Sequence, residues 1–240
     1  MAVVLVTGGT RGIGAACVDW FLANGDQVAT TYRSEEPPPV PEGAADRFLP
    51  VRCDVRKSED VESAFSTIEA RWSPVEVLVA NAGITADGLM LRMSEQSFLD
   101  VIDANLTGSF RVAKRAVAKM LRLHKGRIIF LSSVGAFVGL PGQANYAASK
   151  AGLVGMARAI AREVGSRQIT VNVVAPGLVA TDMTEALGAD RIAAMTTQVP
   201  LGRIGSADDI AGVVGFLASD AAAYITGAVL PVDGGLGMGL

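Results

Sequence analysis

Near its amino end the chain reads Val3-Val4-Leu5-Val6-Thr7-Gly8-Gly9-Thr10-Arg11-Gly12-Ile13-Gly14, an apolar run followed directly by closely spaced glycines. A continuous β-branched run is typical of a strand buried on both faces of a parallel sheet, and a helical segment, Ala15 to Asn24, follows. We expect Gly8 to make the turn, Gly12 to leave room for a pyrophosphate, and Gly14 to let helix and strand pack closely. Since helix N-terminal amides bind phosphates, the stretch predicts the first unit of a dinucleotide-binding sheet.

The glycine spacing is Gly-x-x-x-Gly-x-Gly and differs from the more common Gly-x-Gly-x-x-Gly. A glycine turn without any ligand is the alternative interpretation. The apolar strand before the glycines and the helix after them favour the phosphate site, because that is the context in which such loops bind a pyrophosphate.

The same alternation of apolar runs and helical patterns continues along the chain. Strands are predicted at Val3–Val6, Gln27–Tyr32, Phe48–Cys53, Val75–Ala80, Ile128–Leu131, Ile169–Val174 and Val229–Val232. Helices are predicted at Ala15–Asn24, Ser58–Trp72 with Ser58 as its cap, Ser94–Leu123, Tyr146–Val164, and from the cap-like Ser206 onward. This order predicts one α/β Rossmann-fold domain over residues 1–240, with a doubly wound, mostly parallel sheet of about seven strands flanked by helices.

Composition excludes several classes of function. The 240 residues carry a net charge of −3 and are 19% charged, which argues against binding nucleic acid or an anionic membrane through bulk charge. The apolar start is far shorter than a membrane span or a secretory signal. We therefore expect a cytoplasmic protein with Cys17 and Cys53 as reduced core thiols, and no metal site.

Residues after the second strand bear on the choice of cofactor. An acidic residue there bonds a ribose 2′-hydroxyl, whereas an arginine accommodates a 2′-phosphate. Arg33 occupies this place and Arg11 lies in the glycine loop, which favours NADPH because guanidinium groups bind phosphate well. Glu35 and Glu36 argue against this choice, because either carboxylate could instead accept a hydrogen bond from a ribose 2′-hydroxyl.

Polar or small residues also end the third and fourth predicted strands. Asp54, followed by Val55, is placed to accept from an adenine amino group, or equally to act as a turn residue. Asn81-Ala82-Gly83 lets a ligand approach the backbone. For Asn81 we favour a bracket between neighbouring strand ends over direct contact with a cofactor.

Proton-transfer chemistry is suggested by the segment from Arg127 to Lys150. Tyr146 and Lys150 lie one helical turn apart on one face, and Ser132-Ser133 ends the preceding strand. A phenol has a pKa of about 10, so a nearby ammonium is needed to stabilise its anion. Taken alone, a tyrosine and a lysine at this spacing are more often ordinary surface residues.

A buried amide is predicted at Asn105. It falls on the apolar stripe of the Ser94–Leu123 helix, with Phe98, Val101, Ile102, Leu106 and Phe110. A buried amide without partners costs about 1–3 kcal/mol. It is therefore either a satisfied core asparagine that holds a backbone group or an anchor for a water beside the proton donor.

Two connecting segments stand out. Residues 34–46 are rich in proline and read as a stiff, exposed connection. Residues 178–205 are polar with short helical pieces and are placed to form a substrate lid, with Thr181 near its start bonding a phosphate or carboxamide. Small residues along the Tyr146 helix suit either sheet packing or a helix-on-helix subunit interface.

Together these motifs resemble the short-chain dehydrogenase/reductase family along the whole chain. The matching elements, in order, are Thr7-Gly8-x-x-x-Gly12-x-Gly14, Asp54-Val55, Asn81-Ala82-Gly83, Asn105, Ser133, Tyr146-x-x-x-Lys150 and Pro176-Gly177. Within the family, residues 143–152, 172–177, 181–184 and 232–238 are similar to the 3-oxoacyl-[acyl-carrier-protein] reductases of bacterial type II fatty acid synthesis. The Gly-Met-Gly tail resembles their actinobacterial branch.

The resemblance implies a role for each matching residue. Tyr146 would protonate a ketone as NADPH delivers hydride, Lys150 would lower the tyrosine pKa and bond the nicotinamide ribose, and Ser133 would orient the carbonyl. Asn105 would hold the water that returns the proton, and Val179 and Thr181 would hold the carboxamide end. The implied cofactor site comprises Gly8, Thr10, Arg11, Gly12, Ile13, Gly14, Arg33, Asp54, Val55, Asn81, Ala82, Gly83, Tyr146, Lys150, Pro176, Gly177, Val179 and Thr181.

The resemblance also implies partners: an acidic acyl carrier protein and three further copies of the chain in a homotetramer. Arg122, Lys125, Arg127 and Arg167, with His124 among them, form a local basic excess for the carrier. A solvated charged face is the alternative reading. His124 departs from the expected arginine, and the proline-rich connection is longer than usual in the subfamily.

Two other functions are compatible with the motifs. The chain could reduce another ketone, such as a polyketide, quinone, steroid or acetoacetyl-CoA, because the core motifs set the chemistry and not the substrate. A dinucleotide-sensing regulator is less favoured, since it has no need for serine, tyrosine, lysine and asparagine together.

Overall fold

The computed structural model describes residues 1–34, 36–185 and 188–239. It contains one sheet of seven parallel strands in the order β3-β2-β1-β4-β5-β6-β7. The strands are β1 Val3–Val6, β2 Gln27–Tyr32, β3 Phe48–Arg52, β4 Val77–Ala80, β5 Gly126–Leu131, β6 Ile169–Pro176 and β7 Val229–Val232. The predicted doubly wound α/β fold is confirmed.

Helices cover both faces of the sheet. The main ones are α1 Gly12–Ala23, α2 Ser58–Arg71, α3 Glu95–Ile102, α4 Gly108–Leu123, α5 Gly135–Val138, α6 Ala144–Val164, α7 Asp182–Glu185, α8 Ala189–Thr196 and α9 Ala207–Ala218. Val3 and Leu5 of β1 pack in a core with α2, α4 and α6, whereas Val4 and Val6 pack in another with α1 and α9. Both faces of the strand are buried, as its unbroken apolar run predicts.

The long helix predicted from Ser94 to Leu123 runs without a break from Glu95 to Leu123, but it contains a π-helical turn that the prediction lacks. A π-helical segment, Asp103–Thr107, separates α3 from α4 and contains Asn105. The Ser109 hydroxyl donates to the Asn105 carbonyl at 2.6 Å, and extra residues in a turn rotate the following helix. Phe110, predicted to face inward, is 47% exposed, whereas Ser109, Val112 and Ala113 of the same helix are buried.

Several element ends also differ from the prediction. The N-cap of α2 is Lys57 and not Ser58. Strand β4 begins at Val77, two residues later than predicted. Strand β6 extends to Pro176, where the missing N–H is harmless because the ladder ends there.

Other local predictions are confirmed. Ser206 and Asp209 form a reciprocal capping box at the start of α9. Cys17 and Cys53 are buried free thiols. Residues 178–205 contain the short helices α7 and α8, although Ala186 and Leu187 in this predicted lid, like Glu35, lie outside the described residues. No helix in the described part of the chain has the length and hydrophobicity needed to cross a bilayer.

The strand order indicates where a ligand-binding cleft lies. The chain runs outward from β1 to β3 and then returns to place β4 on the other side of β1. Ligands of open α/β sheets bind at such a reversal, outside the carboxyl ends of the strands. The glycine loop after β1 and the Asn81 segment after β4 meet there.

Candidate active site

A cleft of about 600 Å³ opens at the carboxyl ends of the strands. Its volume is in the range of small-molecule and cofactor sites. Every predicted cofactor residue lines it, as does Ser133, whereas Asn105 lies behind its wall. Residues that sequence reasoning missed also line it: Thr31, Tyr32, Cys53, Arg56, Ile84, Thr85, Ala104, Leu131, Ser132, Asp182 and Thr184.

The glycine loop leaves its backbone open toward the cleft. Gly8 and Gly12 have φ values of +65° and +54°, a region that favours glycine. A Cβ on Gly14 would lie 2.4 Å from the Gly8 carbonyl oxygen, so this position needs glycine for packing. Thr31 and Thr30 accept from the amides of Gly8 and Gly9 at 2.9 and 3.0 Å and so fix the loop to β2. The loop fits the pyrophosphate of a dinucleotide at the N-terminus of α1.

Asn81 brackets the two strands that flank the reversal. Its side-chain amide donates to the carbonyls of Thr7 and Gly8 at 3.0 Å each, and its backbone N–H donates to the Thr7 hydroxyl. The predicted bracket role is confirmed, because these bonds hold the glycine loop against the end of β4.

Arginines dominate the outer end of the cleft. Arg11 forms an exposed ion pair with Asp182 at 3.3 Å, and Arg33 lines the wall beside β2. Arg56 donates to both carboxylate oxygens of Asp54, and its hydrogen bonds lower the pKa of Asp54 to about 2. Asp54 therefore has the turn role that was one of its two predicted readings. Arg56 could have been noticed, since it follows the same strand end.

Tyr146 is half-buried on the first turn of α6. Burial raises the pKa of its phenol, a hydrogen bond with Ser133 lowers it, and the carboxylate of Asp87 raises it again. The net direction is upward, opposite to the expected effect of Lys150. A phenol with a raised pKa stays protonated at neutral pH and can donate a proton.

Lys150 is almost fully buried beneath Tyr146. Its Nζ donates to the Leu131 carbonyl at 2.7 Å and lies 5.7 Å from the centroid of the Tyr146 ring. Burial lowers the pKa of Lys150 to about 8. The ammonium thus lies between the end of β5 and the ring of Tyr146, and Lys150 lines the cleft.

The Asn105 side chain is completely buried and forms hydrogen bonds with backbone groups. Its amide nitrogen donates to the Ile84 carbonyl and to the Ser149 hydroxyl at 3.0 Å each, and its oxygen accepts from the Ile84 N–H at 2.8 Å. These bonds fit the first of the two predicted roles, a core asparagine whose hydrogen bonds are satisfied and which holds a backbone group. A Cβ on Gly83 would lie 3.0 Å from that oxygen and 3.5 Å from Lys150 Nζ, so both polar atoms lie close to the Gly83 backbone.

Not all residues of the predicted basic patch are accessible to a partner. Arg127 is only 8% exposed and pairs with Asp220, so its inclusion in an exposed docking surface is wrong. Lys125 pairs with Glu76 at 2.6 Å, and Arg167 Nη1 lies 2.8 Å from His124 Nε2. These residues precede β5 and β6, so they lie at the amino ends of the strands, opposite the cleft.

Comparison with known proteins identifies the family. A family model described as "Enoyl-(Acyl carrier protein) reductase", one of the short-chain dehydrogenase/reductase models, matches residues 8–237. The chain belongs to the short-chain dehydrogenase/reductase family. Members of this family bind a nicotinamide dinucleotide, which the glycine loop and the cleft fit. The described residues contain no cluster of histidine, cysteine and carboxylate side chains suited to a metal ion.

Several curated short-chain dehydrogenase/reductases are similar over nearly the whole chain. The 3-oxoacyl-[acyl-carrier-protein] reductase MabA of Mycobacterium bovis is 52% identical over 98% of this chain and 93% of its own length. The MabA of Mycobacterium avium is 50% identical over 98% and 90%. The 3-oxoacyl-[acyl-carrier-protein] reductase FabG of Escherichia coli is 46% identical over 98% and 97%. The resemblance to this subfamily and to its actinobacterial branch is confirmed.

Proposed function

We propose that this protein reduces 3-oxoacyl-[acyl-carrier-protein] to the 3-hydroxyacyl form with NADPH, in type II fatty acid synthesis. One observation carries the proposal: Ser133, Tyr146 and Lys150 meet in a cleft of dinucleotide size beside the glycine loop. The names of relatives 46–52% identical over 98% of the chain support the substrate class.

The chemistry follows from the positions of these side chains. Bound NADPH supplies the hydride to the ketone carbon. Ser133 and Tyr146 bond the ketone oxygen, and Tyr146 transfers its phenolic proton to it. Lys150, one turn along α6, holds the ribose and favours the phenolate that remains. A water between Lys150 and the free lone pair of Asn105 then returns the proton.

NADPH oxidation with acetoacetyl thioesters tests this proposal. We expect turnover with the thioester on acyl carrier protein to exceed turnover with the coenzyme A thioester at equal concentration. If the protein turns over neither thioester, the proposal is wrong. Turnover of coenzyme A thioesters alone, or of quinones and steroids alone, assigns the same chemistry to a different ketone.

Arg33 and Arg11 are proposed to recognise the 2′-phosphate of NADPH. Replacing Arg33 with alanine removes charge-assisted hydrogen bonds worth about 1.5–3 kcal/mol, so kcat/KM for NADPH should fall roughly 10- to 100-fold. The value for NADH should be nearly unchanged, since NADH has no 2′-phosphate. Initial rates with both cofactors measure the ratio.

Arg52→Ala is the matched control for Arg33, because Arg52 is an exposed arginine at the end of β3 and lies outside the residues that line the cleft. It should leave both cofactors unaffected. Equal losses with NADPH and NADH in the Arg33 variant, or a wild-type preference for NADH, would contradict phosphate recognition.

The carrier protein is proposed to dock on Arg122, Lys125 and Arg167. These residues lie at the amino ends of the strands, and six residues of β5 place about 20 Å of sheet between them and Ser133. A carrier held there faces away from the cleft of the same copy. The patch therefore serves the cleft of a neighbouring copy in the proposed homotetramer.

Mixed oligomers separate docking within one copy from docking across copies. Co-expression of Arg167→Glu chains with Tyr146→Phe chains should restore activity toward the carrier thioester, because intact clefts of the first chain adjoin intact patches of the second. Each homo-oligomer should be weakly active or inactive. Activity no higher than the sum of the two homo-oligomers would contradict delivery between copies.

Coenzyme A thioesters provide the internal control for the mixed oligomers. Arg167→Glu homo-oligomers should reduce them at the wild-type rate, since they need no carrier docking. A parallel loss with coenzyme A thioesters would mean that the substitution disturbs the fold and not the docking.

A further inference from the structure

Two hydrogen bonds in series join the π-helical turn to α6, the helix that carries Tyr146. The Asn105 side-chain nitrogen donates to the Ser149 hydroxyl at 3.0 Å, and that hydroxyl donates in turn to the Tyr146 backbone carbonyl at 2.7 Å. The Asn105 and Ser149 side chains are both completely buried. The two elements are therefore linked through polar groups that solvent does not reach.

The direction of these bonds fixes the orientation of the Asn105 amide. A backbone carbonyl can only accept, so Ser149 donates its one proton to Tyr146 and its oxygen is left to accept from Asn105. The backbone groups of Ile84 require the same orientation, because its carbonyl accepts from the amide nitrogen and its N–H donates to the amide oxygen. The amide nitrogen thus faces α6, and the amide oxygen faces the segment after β4.

Only one of these partners ties the amide to the reacting residues. Ile84 belongs to the segment after β4, whereas Ser149 lies on α6 directly before Lys150. The amide oxygen and Lys150 Nζ both approach Gly83, since a Cβ there would lie 3.0 Å from the oxygen and 3.5 Å from the ammonium. Hydrogen bonds are short and directional, so the bond from Asn105 to Ser149 sets where the amide lies relative to α6.

We propose that Ser149 is a positioning residue for the return of the proton to Tyr146: its hydroxyl holds the Asn105 amide against α6, so that the water bound by this amide stays within reach of the site. Each turnover transfers one phenolic proton to the ketone oxygen, and the phenolate must take a proton from that water before the next turnover. Ser149 lies outside the lining of the cleft and acts through Asn105. The inference rests on the proposed reductase function and adds a residue to it.

Rapid-mixing kinetics separate the return of the proton from the reduction itself. Tyr146 is protonated at the start, so the first turnover of Ser149→Ala should proceed at the wild-type rate. Later turnovers wait for the returning proton, and the steady-state rate should be roughly tenfold lower, which corresponds to the loss of one hydrogen bond. NADPH absorbance after mixing with excess acetoacetyl thioester on acyl carrier protein measures both rates.

Ser109→Ala is the matched control. Ser109 is also a buried serine bonded to Asn105, but its hydroxyl donates to the backbone carbonyl and not to the side-chain amide. The ratio of the first-turnover rate to the steady-state rate should rise roughly tenfold in Ser149→Ala and stay at the wild-type value in Ser109→Ala. The slow phase of Ser149→Ala should be slower still in deuterium oxide, because a proton transfer limits it.

An unchanged ratio in Ser149→Ala overturns the proposal, whether both rates stay high or both fall together. An equal rise in Ser109→Ala overturns it as well, since any buried serine beside Asn105 would then have the same effect, and so does a slow phase that is insensitive to deuterium oxide. If Ser149→Ala does not fold, Ser149→Cys replaces it, because a thiol keeps a side chain of similar size and is a weak acceptor. A wild-type ratio in Ser149→Cys then overturns the proposal.

NMR gives a measurement that does not depend on turnover. The Asn105 side-chain amide protons, assigned by their loss in Asn105→Asp, should exchange with solvent faster in Ser149→Ala than in the wild type or in Ser109→Ala. If the wild type reduces no 3-oxoacyl thioester, the proposed function fails. Unchanged exchange of the Asn105 protons shows instead that Ser149 does not hold the amide, and it overturns this inference alone.

Discussion

Replacing Tyr146 with phenylalanine is expected to lower kcat for reduction of a 3-oxoacyl thioester by about a thousandfold, because general acid catalysis contributes roughly 10²- to 10⁴-fold. The change removes one hydroxyl from the cleft, so the fold should be retained and the Kd for NADPH should change by less than about tenfold. Stopped-flow or steady-state NADPH oxidation measures the rate, and fluorescence titration measures the Kd.

Tyr224→Phe is the matched control, since Tyr224 is fully exposed and remote from the cleft residues. It should retain wild-type activity. Should Tyr146→Phe keep more than about a tenth of the wild-type kcat, a positioned water or another side chain donates the proton, and the assignment of Tyr146 is wrong.

Local sequence was enough to predict the first β–α unit and the parallel sheet. The glycines after Val6 need positive φ or close packing, and the run Val3–Val6 is buried on both faces. These requirements act within a few residues, so their pattern is visible in the chain. The order of the strands depends on which side of the sheet each crossover returns to, and it is visible only in the structure.

Properties that depend on distant partners were not predictable in the same way. Asn105 lies in a π-helical turn, and its side chain bonds Ile84 and Ser149, which are far away in sequence. Arg127 reads as a surface charge but is buried and bonded to the carbonyls of Gly126 and Gln168. A linear pattern shows that a residue is charged, but only packing shows whether solvent reaches it.

The same distinction explains the acid–base pair. The spacing of Tyr146 and Lys150 predicts that they share a helical face, and the structure places them together. Spacing alone did not reveal that burial acts on both groups, raising the pKa of Tyr146 and lowering that of Lys150. Burial opposes charge on each side chain, so the unliganded site favours the neutral phenol that a proton donor requires.

Replacing Lys150 with methionine should therefore abolish activity and stabilise the protein at neutral pH. Loss of the ammonium removes the partner of the phenolate and of the ribose, so kcat/KM should fall by roughly a thousandfold or more. Burial lowers the pKa of Lys150 from 10.5 to about 8, which means that the charged form is disfavoured by folding. At pH 7 methionine avoids this cost, on the order of 3 kcal/mol, and the free energy of unfolding should rise.

The sign of the pH dependence makes this prediction specific. Between about pH 8 and 10.5 the unfolded wild type binds more protons than the folded form, so wild-type stability rises with pH in this window. The advantage of Lys150→Met should be complete below pH 8 and shrink as pH rises toward 10.5. Urea unfolding at pH 7 and pH 10 measures it, with the exposed Lys57→Met as control. A variant that is less stable at pH 7 would show that the hydrogen bond to the Leu131 carbonyl outweighs the cost of burying the charge, and that Lys150 stabilises the fold as well as the reaction.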